Sequence, residues 1–125
     1  LGGSPRVCAG QDLAGIEPTP YYFPKVVTNG YLVRMKELTF RLGLDISGTA
    51  IGNDFCVAEG PGRKKQLADA RQWIDHAAVL GAPAIRIFAG RVPKGDTEEV
   101  AIERCVEGIN QVLDHADKRG VFLAL

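Results

Sequence analysis

The chain has 125 residues, 46% hydrophobic and 24% charged, which is the composition of one globular domain with a real core and argues against disorder. Its 15 basic and 15 acidic residues cancel, so there is no overall field to draw it to nucleic acid or to an anionic membrane. Cys8, Cys56 and Cys105 are odd in number and in no C-x-x-C spacing, which argues for a reducing compartment and three small buried hydrophobes, against a disulfide framework or zinc knuckle.

No run approaches the roughly 20 apolar residues of a membrane span, and "LGGSPRVCAG" lacks the charged-then-apolar order of a signal peptide. The expected location is cytoplasmic, with neither membrane nor nucleic acid as partner. In chain order, "SPRVCAGQDLA" reads as the back end of a helix, followed by Gly15 and a strand at "IEPT". Thr28 is the expected N-cap of a helix to about Leu42, with Leu32, Met35, Leu38 and Leu42 in one stripe. Gly43 closes it before "LDISGTA". Pro61 opens the next helix, with Leu67, Ala70, Ile74, Ala77 and Ala78 on its inner face and Gly81 before "APAIRIFAG". Asp96 and Glu99 form a capping box for a helix to about Arg119, with Ile102, Cys105, Ile109, Val112 and Ala116 inward. Gly120 then precedes "VFLAL", which reads as a strand buried on both faces. Each of the four glycines stands where a helix C′ residue belongs.

Strands alternating with helices of this length predict a parallel sheet. The side-chain parity of the strands selects its form. Ile85 and Ile87 oppose Arg86 and Phe88; Leu44 and Ile46 oppose Asp45, Ser47 and Thr49; Ile16 opposes Glu17 and Thr19. A sheet covered by helices on both sides would bury the charged parity at a cost of several kcal/mol per group. A barrel gives it a polar lumen, with functional groups at the C-terminal ends of the strands. The expected fold class is α/β, a partial (β/α) TIM barrel of about four parallel strands with alternating helices, spanning residues 1–125 as one partial domain.

The phrases "GIEPTPYYFP", "LGLDISGTAIGNDFC", "GAPAIRIFAGRVPKGDTEE" and "GVFLAL", in this order, resemble the xylose isomerase-like TIM-barrel family of sugar phosphate isomerases and epimerases. The resemblance covers about Pro5 to Leu125 and implies the end of the first helix through the fifth strand, half a barrel. It implies a divalent metal, manganese, magnesium, cobalt or zinc, held by a glutamate directly after the strand that matches "VFLAL" and by Asp, His and Glu from later strands. On that alignment the chain ends one residue short of the first ligand, so no catalytic and no metal-ligating residue is assigned to it, and it is expected to be inactive alone.

What this half offers is substrate contacts. Glu17 stands at the mouth end of the first strand, to bond a sugar hydroxyl or orient the metal site, to pair with Arg86, or to do both. Tyr21, Tyr22 and Phe23 follow; Tyr22 is the candidate aromatic for a sugar face, lid packing being the alternative. Asn53 and Asp54 either converge on the mouth or serve "IGND" as turn chemistry. Phe88 shares the lumen parity of Arg86. Arg91 and Lys94 lie in the loop before a capped helix, to hold a substrate phosphate or carboxylate or simply to be solvated. His76 and His115 fall inside helices, away from the mouth, and Trp73 packs between helices.

The leading function is therefore a fragment of a divalent-metal-dependent sugar or sugar phosphate isomerase or epimerase. An endonuclease-IV-like phosphodiesterase fragment is the alternative enzyme, disfavoured by zero net charge and by the lack of histidine at any strand end. A non-catalytic half-barrel that self-associates, or that meets a missing second half, is the third reading.

Overall fold

The computed structural model describes residues 3–125. Helix α1 (Gly3–Ala9) leads to β1 (Gly15–Ile16), a 3-10 turn at Pro20–Tyr22, α2 (Asn29–Arg41), β2 (Asp45–Ile46) and β3 (Thr49–Ala50). Then come α3 (Pro61–Leu80), β4 (Ala84–Arg86), α4 (Glu98–Arg119) and β5 (Phe122–Ala124). All strand pairs are parallel, β1 on β2 and then β3 on β4 on β5. This is the α/β alternation of a partial TIM barrel.

The expected single strand "LDISGTA" is two. Ser47 and Gly48 part β2 from β3, so that its first half pairs β1 and its second half pairs β4. The split is what a curling sheet requires, because successive barrel strands are staggered and each meets its two neighbours at different heights. Side-chain and main-chain bonds carry the pairing across the break. Ser47 donates its N–H to Ile16 O at 3.0 Å, and the Thr49 hydroxyl donates to Pro18 O at 2.6 Å.

Helix ends follow local chemistry. The Thr28 hydroxyl caps α2 by accepting from Tyr31 N at 3.2 Å, and Pro61 occupies the first turn of α3. Gly81 and Gly120 are the left-handed caps of α3 and α4. Two expectations shift. Thr97, not Asp96, is the N-cap of α4, accepting from Val100 N, while Asp96 turns to Arg104 at 2.5 Å. A β-region threonine adjacent to the first turn outcompetes an aspartate that has a guanidinium within reach. Gly15 is no helix cap either: α1 ends at Ala9 and Asp12 takes the positive φ, so Gly15 is a strand residue.

The core lies between strands and helices. Leu32, Ile74, Leu80, Ile85, Val112 and Phe55 are essentially fully buried, each worth roughly 1.5–3 kcal/mol on transfer from water. Ile85 and Ile87 point into this layer and Arg86 and Phe88 point away, as the parity requires. Cys56 and Cys105 are buried in it as free thiols, and Cys8 is half-buried. Burial pushes both buried thiols up, so they stay protonated.

The helix faces depart from expectation on one side. Ile102 is 54% exposed, and Ala101 takes the inward place. Ile102, Val106 and Leu113 form an exposed stripe on α4, one face of a 3.6-residue repeat that no element among the described residues covers. The last strand is likewise buried on one face only. Val121 is inside and Leu123 half-buried, but Phe122 is 76% exposed and Ala124 is exposed too, because they stand on the face opposite the helices.

Candidate functional site

The segments that leave the C-terminal ends of the strands bear the candidate residues, and the backbone there is held by side chains. Asn53 is the clearest case. Its Nδ2 donates to Phe88 O at 2.7 Å and its Oδ1 accepts from Phe88 N at 2.8 Å, so the amide imitates one more rung between β3 and β4. Its two groups are thereby engaged in structure, the turn-and-frame role of the pair set out above. Asp54 is similarly occupied: Oδ1 accepts from Cys56 N at 2.9 Å and Oδ2 from Arg91 N at 3.4 Å, while its own N–H goes to Gln66 Oε1 at 2.9 Å. Gly90 makes this approach feasible. Its φ is +124°, and a Cβ there would lie 2.0 Å from Asp54 Oδ1.

Beneath these turns lies a residue that the sequence reading passed over. Arg63, in the first turn of α3, is only 1% exposed. Nη1 donates to Phe55 O at 2.6 Å and Nη2 to Arg104 O at 2.9 Å, with Glu107 Oε2 at 3.3 Å. Its Nε lies 2.6 Å from Glu59 Oε1, at an angle that makes no hydrogen bond. The run "GRKK" looks like solvated charge, yet Arg63 sits four residues before Leu67, on the apolar face, and that spacing was the available signal.

Two cavities flank the strand ends. The larger, about 520 Å³, is lined among others by Glu17, Tyr22, Phe23, Tyr31 and Cys8, between β1, α1 and α2. Burial pushes the Tyr31 phenol up, so its hydroxyl stays neutral. The smaller, about 260 Å³, is lined by Arg86 with Tyr21, Ile51, Gly52, Asp69 and Trp73. Trp73 is more than helix packing: it stacks on Phe23 at 5.7 Å, meets His76 edge-on at 5.3 Å, and forms part of that wall.

Glu17 and Arg86 thus border different cavities, and no ion pair joins them among the described residues, so the inward pairing given above as an alternative for them is absent. Arg86 instead lays its guanidinium carbon 4.2 Å from the centroid of the Phe88 ring. Arg91 and Lys94 are exposed, and neither lines the two cavities. The structure brings Glu17 together with Tyr22, and Arg86 with Phe88. It does not gather all eight candidates at one point.

Away from the strand ends, His115 Nε2 lies 3.0 Å from Asp75 Oδ1, and Arg119 Nε 2.8 Å from the same oxygen. His76, against Trp73, is held below its ordinary value of 6.5 by burial, which outweighs the nearby Asp75. The folded state then binds this proton more weakly than the unfolded chain. Its contribution to stability is complete above about pH 6.5 and is lost as pH falls through the lower folded value. Urea midpoints measured against pH should decline in that window, and His76→Gln should flatten part of the decline; an unchanged slope in the variant would remove His76 as the cause.

Among the described residues no three His, Cys, Asp or Glu side chains converge to hold a metal ion. Asp54 is spent on backbone N–H groups and Glu17 has no second acid or imidazole beside it in its cavity. The described residues do not fit a divalent metal centre. Among the described residues no helix is long and apolar enough to cross a membrane.

Four parallel strand positions in curling order, with helices outside and loops at the C-terminal strand ends, define half of an eight-stranded (β/α) barrel. Residues 6–125 match the model of the xylose isomerase-like TIM barrel family, and the chain belongs to that family. No curated protein matches the sequence. Protein SMc04130 from Sinorhizobium meliloti 1021 is 32% identical, with a TM-score of 0.80 over 95% of this chain and 42% of its own. A D-psicose 3-epimerase crystallised with D-fructose is 18% identical, with a TM-score of 0.83 over 98% of this chain and 45% of its own. An L-ribulose 3-epimerase is 20% identical, with a TM-score of 0.74 over 95% of this chain and 41% of its own. The chain spans less than half the length of each of these structures, and the two epimerases share its fold.

Proposed function

We propose that this chain is the sugar-binding half of a sugar isomerase or epimerase barrel, acting on a sugar or sugar phosphate, whose metal and catalytic carboxylates are supplied from outside residues 1–125. The observation that carries this reading is the pairing of family membership with a carboxylate and an aromatic, Glu17 and Tyr22, in one cavity at a strand end. Such a pair suits a polyol: the carboxylate accepts from hydroxyls and the ring covers a C–H face. Tyr22, Phe88, Arg86 and Glu17 are the contacts assigned here, with Asn53 and Asp54 framing them and Arg91 and Lys94 at the rim.

NMR titration of the labelled chain with D-fructose tests it, with backbone shifts expected around residues 15–23. Shifts confined to other surfaces, or turnover by this chain with manganese and no complementing half, would overturn the reading. For the metal itself, calorimetry should find manganese or magnesium bound no tighter than millimolar. A stoichiometric micromolar site would show that ligands have been overlooked.

The exposed stripe of Ile102, Val106 and Leu113 and the open strand face at Phe122 support the further reading that the half-barrel associates, with itself or with a second half. Sedimentation at micromolar concentration should show species larger than the monomer. Ile102→Glu with Val106→Lys should then return the chain toward monomer; a clean monomer of the parent chain with cooperative unfolding would defeat the idea.

A further inference from the structure

Three described arginines are drawn in from solvent: Arg63, Arg86 and Arg104. Arg63 has carbonyl and carboxylate acceptors on several sides, and Arg104 has Asp96 and Cys56 O. Among the described residues Arg86 has none: its side chain donates no hydrogen bond, no carboxylate lies within 4.0 Å, and Nη1 is sealed from solvent without a partner. Asp69 lines the same cavity, but its Oδ2 is held by Lys65 at 2.5 Å.

A withdrawn, uncompensated cation is costly to keep unless something regularly completes it. The surroundings are arranged to leave it free. Register places Ala50 on one neighbouring strand and Ala124 on the other directly beside Arg86, so no long side chain crowds the guanidinium. Phe88 supports one face of the plane, which orients the fork of N–H donors without using any of them. The cavity of about 260 Å³ that Arg86 lines is walled by Tyr21 and Trp73, room for one planar or tetrahedral anionic group and a few attached carbons.

We propose that Arg86 anchors an anionic group, a carboxylate or phosphate, borne by the substrate. The proposal rests on the sugar reading for the rest of the molecule and on Arg86 alone for the charge. It moves the anion from Arg91 and Lys94, which stand in solvent where their charge is screened, to a partly desolvated guanidinium where a bidentate contact is stronger.

Calorimetry on the chain with D-fructose, D-gluconate, D-fructose 6-phosphate and inorganic phosphate tests this, with circular dichroism to confirm that each variant folds. At least one of the two charged sugars should bind tenfold or more tighter than D-fructose, and which of them gains identifies carboxylate or phosphate. That advantage should vanish in Arg86→Gln, shrink in Arg86→Lys, and persist in Arg91→Gln and Lys94→Gln. An equal affinity for charged and neutral probes, an advantage that survives Arg86→Gln, or no binding of any probe would overturn the anchor. The two readings separate cleanly. D-fructose binding alike to parent and Arg86→Gln, with no gain from charge, defeats the anchor and leaves the sugar site. An Arg86-dependent gain no larger for the charged sugars than for inorganic phosphate keeps the anchor and defeats the sugar site.

Discussion

Arg63→Leu is expected to lower the unfolding free energy by about 3–5 kcal/mol, the range for breaking a buried charged network. From α3 the guanidinium ties two other segments: the loop after β3, at Phe55, Val57 and Glu59, and α4, at the Arg104 carbonyl and Glu107. Leucine keeps much of the apolar volume but leaves the Phe55 and Arg104 carbonyls without this donor, and unpaired buried acceptors carry the full desolvation penalty. Glu59 and Glu107 are mostly exposed and return to water with little loss. The cost should therefore lie in the carbonyls, and Glu107→Gln should cost less than about 1 kcal/mol. Urea unfolding with unchanged m-value checks both. A loss below about 1 kcal/mol for Arg63→Leu would mean that the turn after β3 has another anchor.

Gly90→Ala is expected to cost about 2–4 kcal/mol, from positive-φ strain and a displaced hydrogen-bonded carboxylate together. The added Cβ would fall 2.0 Å from Asp54 Oδ1, 2.7 Å from Asp54 Cγ and 3.1 Å from Cys56 N. Neither neighbour yields freely: Asp54 is held by Cys56 N and Arg91 N, and Cys56 belongs to the core. Relief must come from turning Asp54 away, which frees the Cys56 amide. Hydrogen exchange at Cys56 should quicken in the variant along with the drop in urea midpoint. A variant as stable as the parent would show that the loop at residues 89–91 shifts without consequence. Gly120→Ala is the informative comparison. It too has positive φ, but nothing lies within 4 Å of an added Cβ, so only the backbone strain is felt.

The eight candidate residues show where sequence reasoning reaches its limit. Parity along "AIRIF" put Arg86 and Phe88 on one face, and they do stack, because alternation in a strand is a local rule. Glu17 and Arg86 also share the lumen parity, but whether they meet depends on how the sheet curls between β1 and β4. The strand between them is broken at Ser47 and Gly48, and the two residues line separate cavities. Asn53 and Asp54 were ambiguous between ligand contact and turn chemistry for the same reason. Their partners, Phe88 and Gln66, are remote in sequence or across a turn, and no local pattern announces them.

By itself the sequence determined the alternation of helices and parallel strands, the helix starts at Thr28 and Pro61, the left-handed glycines at Gly43, Gly81 and Gly120, and which face of each strand is apolar. These depend on contacts within a few residues: period, cap and φ preference. Only the tertiary structure decided that "LDISGTA" breaks to serve two neighbours, that Arg63 is a buried tie, and that, among the described residues, nothing covers the α4 stripe through Ile102 and no counter-charge meets Arg86. Each of these follows from packing between segments tens of residues apart. There the energy is set by which groups are shut off from water together, and a linear pattern carries no record of that.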